Sequence, residues 1–161
     1  MRAPLDGTLR LTNPFGGSKF DAPFDTSWAG QPVHVLGHTG IDFDAAPSSV
    51  VRAVWAGTVR TGWDDFGFGN YLVLTTDDGR EALYGHLSGF GVASGARVAA
   101  GQEVARSGQS GKATGPHLHF EIRERNCDRF NGYYGCRDPL GGFDHDVIAR
   151  LDVSLIGGFC V

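Results

Sequence analysis

Two histidines stand two positions apart in a segment that reads as a β-strand, His117-Leu118-His119-Phe120-Glu121-Ile122. Side chains alternate between the two faces of a strand, so the histidines and the glutamate should share one wet face while the apolar residues enter a core. Imidazole groups bind metals and carry protons near neutral pH. The pattern predicts either a site of that chemistry or a half-buried strand with incidental polar residues.

A second pair, His38 and Asp42, has three residues between its members. In a straight strand their Cα atoms would lie about 13 Å apart, at about 3.3 Å per residue, which is too far to share an ion. Gly40 permits a bulge or turn that closes this distance, although a surface histidine and a turn-capping aspartate remain the alternative. Together with His119, the pair would form a three-ligand set that leaves a fourth position for water, as in catalytic zinc sites.

The clearest hairpin signal is the Asp-Gly pair at 78–79, which favours a two-residue type I′ turn between two alternating apolar runs. Counting outward from this turn pairs Val73 with Tyr84 and Tyr71 with His86. We therefore expect His86 to share one face of the hairpin with both tyrosines.

The elements that position these groups should be short antiparallel strands, because glycine recurs at short intervals between segments rich in Val, Leu, Thr, Tyr and Phe. Further strand candidates are 50–60 and 97–106. A short helix is expected at 146–151, and residues 1–30 read as an extended lead-in. The sequence thus predicts a mainly β fold.

Composition excludes several classes of protein. A chain of 161 residues reads as one domain. Its 14 basic and 18 acidic residues give a net charge of −4 without a basic stripe, so we expect no nucleic-acid partner. The sequence has no apolar run long enough to cross a bilayer and no apolar segment after Met1, so we also expect no membrane insertion and no secretory signal peptide.

Three cysteines are present, Cys127, Cys136 and Cys160, without the Cys-x-x-Cys spacing of a thiolate zinc site. Cys127 and Cys136 form either a disulfide or two buried free thiols, because spacing alone does not test the geometry of the bond. Cys160 should serve packing only.

Three separated motifs carry a family resemblance. The His38-x-x-x-Asp42 pair, the Tyr84-Gly85-His86-Leu87 segment and the Thr114 to Glu121 segment occur in the order and spacing of the lysostaphin-like (LytM-type) zinc metallopeptidases, which cleave peptidoglycan peptides. The resemblance covers about residues 37–140, with 1–30 as lead-in and 141–161 as a C-terminal tail of the single domain. It implies an antiparallel β-sheet folded over a substrate groove with loop walls.

The resemblance also implies the chemistry. His38, Asp42 and His119 would hold one zinc ion per chain, and His86 and His117 would lie beside the activated water. One of these two histidines would take the proton of that water, and the pair would stabilise the oxyanion and protonate the leaving amine. Which histidine does which stays open.

Tyr71, Tyr84 and Thr114 are our predicted substrate-binding residues, and the loops 63–70 and 108–115 are candidate groove walls. Family members carry a tyrosine shortly before the first zinc histidine. Here that stretch contains Trp28 and His34 instead, so the tyrosine's contribution to the oxyanion is either absent or made by one of these two residues. His34 is most simply a loop histidine and His145 a solvated surface residue.

The implied activity is hydrolysis of stem or cross-bridge peptides of bacterial peptidoglycan, in an extracellular or periplasmic location. Without a signal peptide, the chain would be released by a phage or be part of a longer protein. The alternative is a catalytically weak LytM-like module that binds cell wall or activates an amidase. A monomer is the simplest oligomeric state, and the bond that is cut stays open.

Overall fold

The computed structural model describes residues 1–17, 24–28, 31–65, 67–125, 127–128, 131–133 and 135–155. Short strands dominate them, which confirms the predicted mainly β class. The strands are β1 (Leu9–Asn13), β2 (Phe24–Trp28), β3 (Gln31–Val35), β4 (Ile41–Asp44), β5 (Val50–Arg52), β6 (Gly57–Asp64), β7 (Gly69–Thr75), β8 (Glu81–Phe90), β9 (Arg97–Val98), β10 (Glu103–Ser107), β11 (His117–Arg123), β12 (Cys136–Arg137) and β13 (Leu151–Asp152). The helical segments are a 3-10 turn, Pro139–Gly142, and α1, His145–Ile148.

Eleven of these strands form one sheet, in the order β13-β1-β4-β11-β8-β7-β6-β9 along its main path. β10 pairs with β5 and β8, and β12 pairs with β11. The pairings are antiparallel except between β1 and β13, and β2 and β3 form a separate hairpin. The sheet is open and folded over a groove, as the resemblance implies.

The long strand β8 changes its partner halfway along. Its first half, through Gly85, pairs with β11, whereas its second half, from Leu87, pairs with β10. The sheet therefore forks at His86.

The hairpin between β7 and β8 has a different register from the one predicted. Its loop has three residues, because the Thr76 and Arg80 backbones pair and Gly79 takes the left-handed conformation at φ 87°. Leu72 therefore pairs with Tyr84, and Val73 pairs with Leu83.

A shift of one residue turns a side chain to the other face of a sheet. The shift puts Tyr84 opposite Leu72 and so on the other face from Tyr71, and a bulge after Tyr84 separates it from His86. The predicted face shared by Tyr71, Tyr84 and His86 was therefore wrong. Tyr84 lies in the core, where its hydroxyl oxygen accepts a hydrogen bond from the Val54 backbone N–H at 2.9 Å.

The strand β11 confirms the predicted alternation but not the predicted wet face. Leu118, Phe120 and Ile122 are fully buried in the main core. On the opposite face, His119 is 5% exposed and Glu121 is not exposed at all. This face is covered by protein, so its polar groups need partners within the fold.

Two predicted strands are each broken by a turn. The 50–60 candidate forms β5 and the start of β6, and the 97–106 candidate forms β9 and most of β10. The predicted 146–151 helix begins at His145 and ends at Ile148. The predicted lead-in, residues 1–30, is not only an extended segment, because it contains β1, where Asn13 pairs with Asp42 of β4. Among the described residues, no helix has the length and apolar character that a bilayer crossing requires.

Candidate active site

Three side chains from separate positions in the sequence converge on one point. The Nδ1 atom of His119 lies 2.9 Å from Asp42 Oδ1 and 3.0 Å from His38 Nε2. The third side of the triangle, between His38 Nε2 and Asp42 Oδ1, is 3.1 Å. The structure therefore brings together the three residues that the sequence singled out as metal ligands.

The sheet and one glycine produce this convergence. Asp42 on β4 and His119 on β11 are direct antiparallel neighbours. His38 reaches them because the chain crosses β11 closely at Gly40, where a Cβ atom would lie 2.4 Å from the Phe120 carbonyl oxygen. Only glycine fits this approach, which is the close contact that the His-x-x-x-Asp spacing requires.

The lead-in fixes the orientation of His38. Its Nδ1 donates a hydrogen bond to the Pro14 carbonyl at 3.0 Å, which leaves Nε2 facing the other two residues. Backbone bonds join Gly16 and Gly17 to His38 as well. Sequence reasoning missed this contribution, because a backbone carbonyl carries no residue-type signal.

The triangle is strongly polarised. Burial alone raises the pKa of Asp42, but hydrogen bonds from His119 and His38 outweigh it and hold that pKa well below its usual range. Burial likewise lowers the pKa of His119, but its bonds to Asp42 and Glu121 outweigh it and raise the pKa to about 10. In the metal-free protein the site therefore holds a proton where a cation would fit.

The donor set suits zinc. Two imidazole nitrogens and a carboxylate oxygen, mutually about 3 Å apart, can each lie about 2.0–2.2 Å from one ion, and three protein ligands leave a position open. The remaining nitrogens of the two histidines donate to Pro14 and Glu121, which is the usual support for metal-ligating imidazoles. The residues present thus fit the metal that the sequence resemblance implies.

His86 enters the site through a β-bulge. Between the Leu72–Tyr84 and Asn70–Leu87 pairs, β7 has one residue and β8 has two, Gly85 and His86. The backbone of His86 is left-handed, at φ 59°, which is uncommon for a residue with a side chain. Bulges re-aim side chains, and this one brings the His86 ring to 4.5 Å from that of His117, centroid to centroid.

One loop orients both of these histidines. His86 Nδ1 donates to the Ser110 carbonyl at 2.9 Å, and His117 Nδ1 donates to the Gly115 carbonyl at 2.8 Å. In the neutral form of each ring this leaves the lone pair on Nε2, and Nε2 of His117 lies 3.7 Å from Asp42 Oδ1. Burial, reinforced by the neighbouring His119, lowers the pKa of His86 to about 4, so His86 is neutral at pH 7.

Tight backbone packing holds that loop against the hairpin. Ser110 Oγ accepts from the Asn70 N–H at 2.9 Å and donates to the Leu87 carbonyl at 2.8 Å. Gly111, at φ 70°, lies so close to the neighbouring loop that a Cβ atom would stand 2.2 Å from the Gly69 nitrogen. The two predicted wall loops therefore contact each other beside His86.

Aromatic side chains line the groove face next to the candidate metal ligands. The Phe68 ring lies 5.2 Å from that of His119 and 6.5 Å from that of Tyr71. Tyr71 is half-buried, and Arg60 donates to its hydroxyl at 3.3 Å. Thr114 is exposed on the loop that carries Gly115. Tyr84 is fully buried, so the prediction that it binds substrate is corrected.

The remaining candidates lie apart from this cluster. His34 lies on β3 rather than in a loop and pairs with Asp25 at 2.7 Å, and His145 is exposed at the start of α1. The side chain of Trp28 and the whole of Cys160 lie outside the described residues. Cys127 and Cys136 are both free thiols, and Cys136 is buried against Glu121 and Arg123.

Comparison with known proteins gives a consistent picture. The model of peptidase family M23 matches residues 36–131. Glycyl-glycine endopeptidase ALE-1 of Staphylococcus capitis is 44% identical over 86 residues, which cover 52% of this chain and 24% of the relative. An uncharacterized metalloprotease of Haemophilus influenzae is 32% identical over 124 residues, which cover 75% of this chain and 24% of that protein. The chain thus spans about a quarter or less of the length of the curated relatives it matches.

Solved structures agree with the sequence comparison. The catalytic domain of lysostaphin from Staphylococcus simulans superposes with a TM-score of 0.61 at 31% identity, covering 76% of this chain and 86% of that domain. The structure of LytU gives a TM-score of 0.65 at 31% identity, with 83% of each chain covered.

Proposed function

The chain belongs to peptidase family M23, and on that premise we propose that it is a zinc endopeptidase that hydrolyses peptide bonds in the stem or cross-bridge peptides of bacterial peptidoglycan. Its relatives include a glycyl-glycine endopeptidase and the peptidoglycan DD-endopeptidase ShyB of Vibrio cholerae. Peptidoglycan peptides are therefore the substrate class, and the site of action is the cell wall, outside the cytoplasm.

A single observation carries the proposal. The ligand atoms of His38, Asp42 and His119 lie within 3.1 Å of one another, next to two further histidines whose Nδ1 atoms are bound to backbone carbonyls. A binding module has no need of this combination, whereas peptide hydrolysis needs both an electrophile and proton carriers. We therefore assign His38, Asp42 and His119 to one zinc ion per chain and His86 and His117 to proton transfer.

A zinc ion held by these residues supplies Lewis acidity, which polarises a peptide carbonyl and lowers the pKa of water to about 7. The chain's own residues provide the rest of the chemistry. His86 and His117 each offer an Nε2 lone pair, so one can accept the proton of the attacking water and the pair can return a proton to the leaving amine. Their protonated forms also stabilise the negative charge that develops on the carbonyl oxygen.

The substrate peptide, in this proposal, lies along the face that carries Phe68 and Tyr71, beside the two wall loops that pack against each other. Tyr71 flanks it beside Phe68, and Thr114 contacts it from the exposed loop. We place the catalytic core within residues 37–140 and add to it Pro14, the residue after β1, because its carbonyl holds His38. The chain acts as a monomer in this proposal, since each chain holds a complete set of reactive groups.

The test is digestion of purified cell walls by the zinc-loaded chain. Walls with glycine cross-bridges and walls with direct D-alanyl–diaminopimelate links are incubated separately, and mass spectrometry identifies the muropeptides that are released. The proposal expects new amino termini within the stem or cross-bridge of at least one wall type. The bond cut then defines the specificity.

The same experiment separates the proposal from its alternative. A cell-wall binding or amidase-activating module would sediment with the walls, or accelerate an added amidase, without releasing any peptide fragment. That outcome, with zinc bound, would overturn the proposal.

A further inference from the structure

A buried carboxylate beside the candidate metal ligands has no part in the proposed chemistry. Glu121 follows His119 by two positions on β11, and its side chain is entirely buried. An ionised carboxylate is costly to bury unless charged and hydrogen-bonding partners surround it. The partners of Glu121 therefore indicate what the fold uses it for.

Four donors from three chain segments surround this carboxylate. Oε1 accepts from Thr39 Oγ1 at 2.5 Å and from His119 Nε2 at 3.2 Å. Oε2 accepts from Arg123 Nη2 at 2.5 Å and from the Cys136 thiol at 3.4 Å. These bonds satisfy both oxygens, and together with the nearby Arg123 guanidinium they keep the pKa of Glu121 at about 2 despite burial.

One of the four donors is itself a candidate ligand, and another is the direct neighbour of one. Thr39 stands next to His38, and His119 is itself one of the three converging residues. The Gly40 crossing brings the first segment directly onto Glu121, since a Cβ atom at Gly40 would lie 3.0 Å from Glu121 Cγ. Glu121 thus joins the 38–42 segment to β11 immediately behind the metal site.

The bond to His119 also decides which of its nitrogens faces the ion. A neutral imidazole carries one proton, and the Nε2–H that Glu121 accepts leaves Nδ1 as the lone pair. Nδ1 is the atom that lies 3.0 Å from His38 Nε2 and 2.9 Å from Asp42 Oδ1. The opposite tautomer would direct a proton at the position of the cation.

We propose that Glu121 is a positioning residue, which fixes the tautomer and ring orientation of His119 and ties the 38–42 segment to β11, and thereby sets the zinc affinity of the site. This inference rests on the metal assignment of the proposed function and not on its substrate. Outer partners of metal-ligating histidines typically contribute about 10–100-fold to metal affinity. Arg123 balances the charge of the carboxylate, so the chain holds Glu121 ionised without adding charge to the ligand set.

The first test replaces Glu121 by glutamine and measures zinc affinity by competition with a chromophoric chelator. Arg123 will take the amide oxygen of the new side chain, which turns its NH₂ group towards His119 Nε2 and reverses the tautomer. The zinc Kd of Glu121→Gln should therefore weaken about 10–100-fold. The matched control is Glu103→Gln, which removes an exposed carboxylate on β10 that pairs with Arg106, and its zinc Kd should not change.

A second variant separates positioning from general structural support. In the double variant Glu121→Gln/Arg123→Met, the guanidinium no longer competes for the amide oxygen, which can take the position of Oε1 and accept from both Thr39 Oγ1 and His119 Nε2. The zinc Kd of the double variant should be at least about fivefold lower than that of the single variant, although the thermal stability of the double variant falls further. If Glu121 contributed only to stability, the double variant would instead bind zinc more weakly than the single variant, because its stability is lower.

The wild-type protein provides a test that no folding defect can obscure. Nitrogen NMR of the zinc-loaded chain should show that His119 carries its proton on Nε2. A proton on Nδ1, or a folded Glu121→Gln variant that binds zinc as tightly as the wild type, would overturn the inference. If the wild type binds zinc but releases no muropeptide, the proposed function fails while the inference stands.

Discussion

The two halves of the candidate site are built by different means. In the ligand half, Asp42 and His119 lie on paired strands and His38 lies just before β4; the Glu121 side chain supports His119, and the Pro14 carbonyl holds His38. The proton-transfer half, His86 and His117, lies at the fork of the sheet and is oriented by two carbonyls of a single loop. Side-chain support therefore contributes to the first half, whereas the support of the second half comes from backbone carbonyls alone. Variants should damage one half and spare the other.

The largest effect is expected from His119→Ala. This change removes one of the two ligand nitrogens and the partner of two carboxylates, so the chain should lose zinc during purification and lose all hydrolysis with it. Metal analysis by mass spectrometry and release of muropeptides measure the two outcomes. The control is His145→Ala, an exposed histidine on α1. A His119→Ala protein that retains one zinc per chain would remove the ligand assignment.

His117→Ala tests the other half. It should retain zinc and reduce kcat by about 10²–10⁴-fold, because proton transfer is lost while the ligand triangle persists. His86→Ala should do the same. The two changes together should cost little more than either alone, since groups that act as a unit are not additive. Full turnover in either single variant would refute its assignment.

A smaller effect should follow from Gly111→Ala, which changes only backbone packing. The added methyl group would stand 2.2 Å from the Gly69 nitrogen, so the loop must move and take the Ser110 carbonyl away from His86. We expect kcat/KM to fall about 100-fold at unchanged zinc affinity.

The matched control for that variant is Gly95→Ala. Gly95 has a similar left-handed backbone, φ 89°, but no atom within 4 Å of an added Cβ, so it shares the conformational strain without the collision. Equal losses of activity in both variants would show that strain alone is responsible and that the loop does not position His86.

The smallest predicted effect is a dependence of zinc affinity on pH. The pKa of His119 is raised to about 10 in the metal-free protein, so zinc must displace a proton at every pH below that value. Affinity should therefore rise with pH, by about tenfold per unit between about pH 7 and 9, as one proton is released. Chelator competition at constant ionic strength measures it. A flat profile would mean that no proton occupies the triangle.

The three candidate ligands could be predicted from the sequence because their residue types and spacing are recognisable. His-x-His on a strand and Gly40 between His38 and Asp42 both leave visible patterns. Glu121 was visible too, but the alternation alone placed it on a wet face, and only the tertiary cover over β11 makes it a buried partner.

The other half could not be predicted to the same extent. A loop of three residues instead of two moved Tyr84 into the core, and the bulge at Gly85 and His86 compensates for that shift so that His86 still reaches the site. Neither feature is encoded in a motif. The carbonyls of Ser110 and Gly115 could not be recognised from the sequence either, because every residue has a backbone carbonyl.

The fork in β8 also has a kinetic consequence. Where a strand exchanges one neighbour for another, amide protons depend on isolated contacts such as the bond from the His86 N–H to the Phe68 carbonyl. Hydrogen exchange at this amide should proceed by brief local opening, whereas exchange at Phe120 and Ile122, in the buried ladder of β11, should require unfolding of the whole domain. Local opening at the fork therefore leaves the strand pairing between Asp42 and His119 intact.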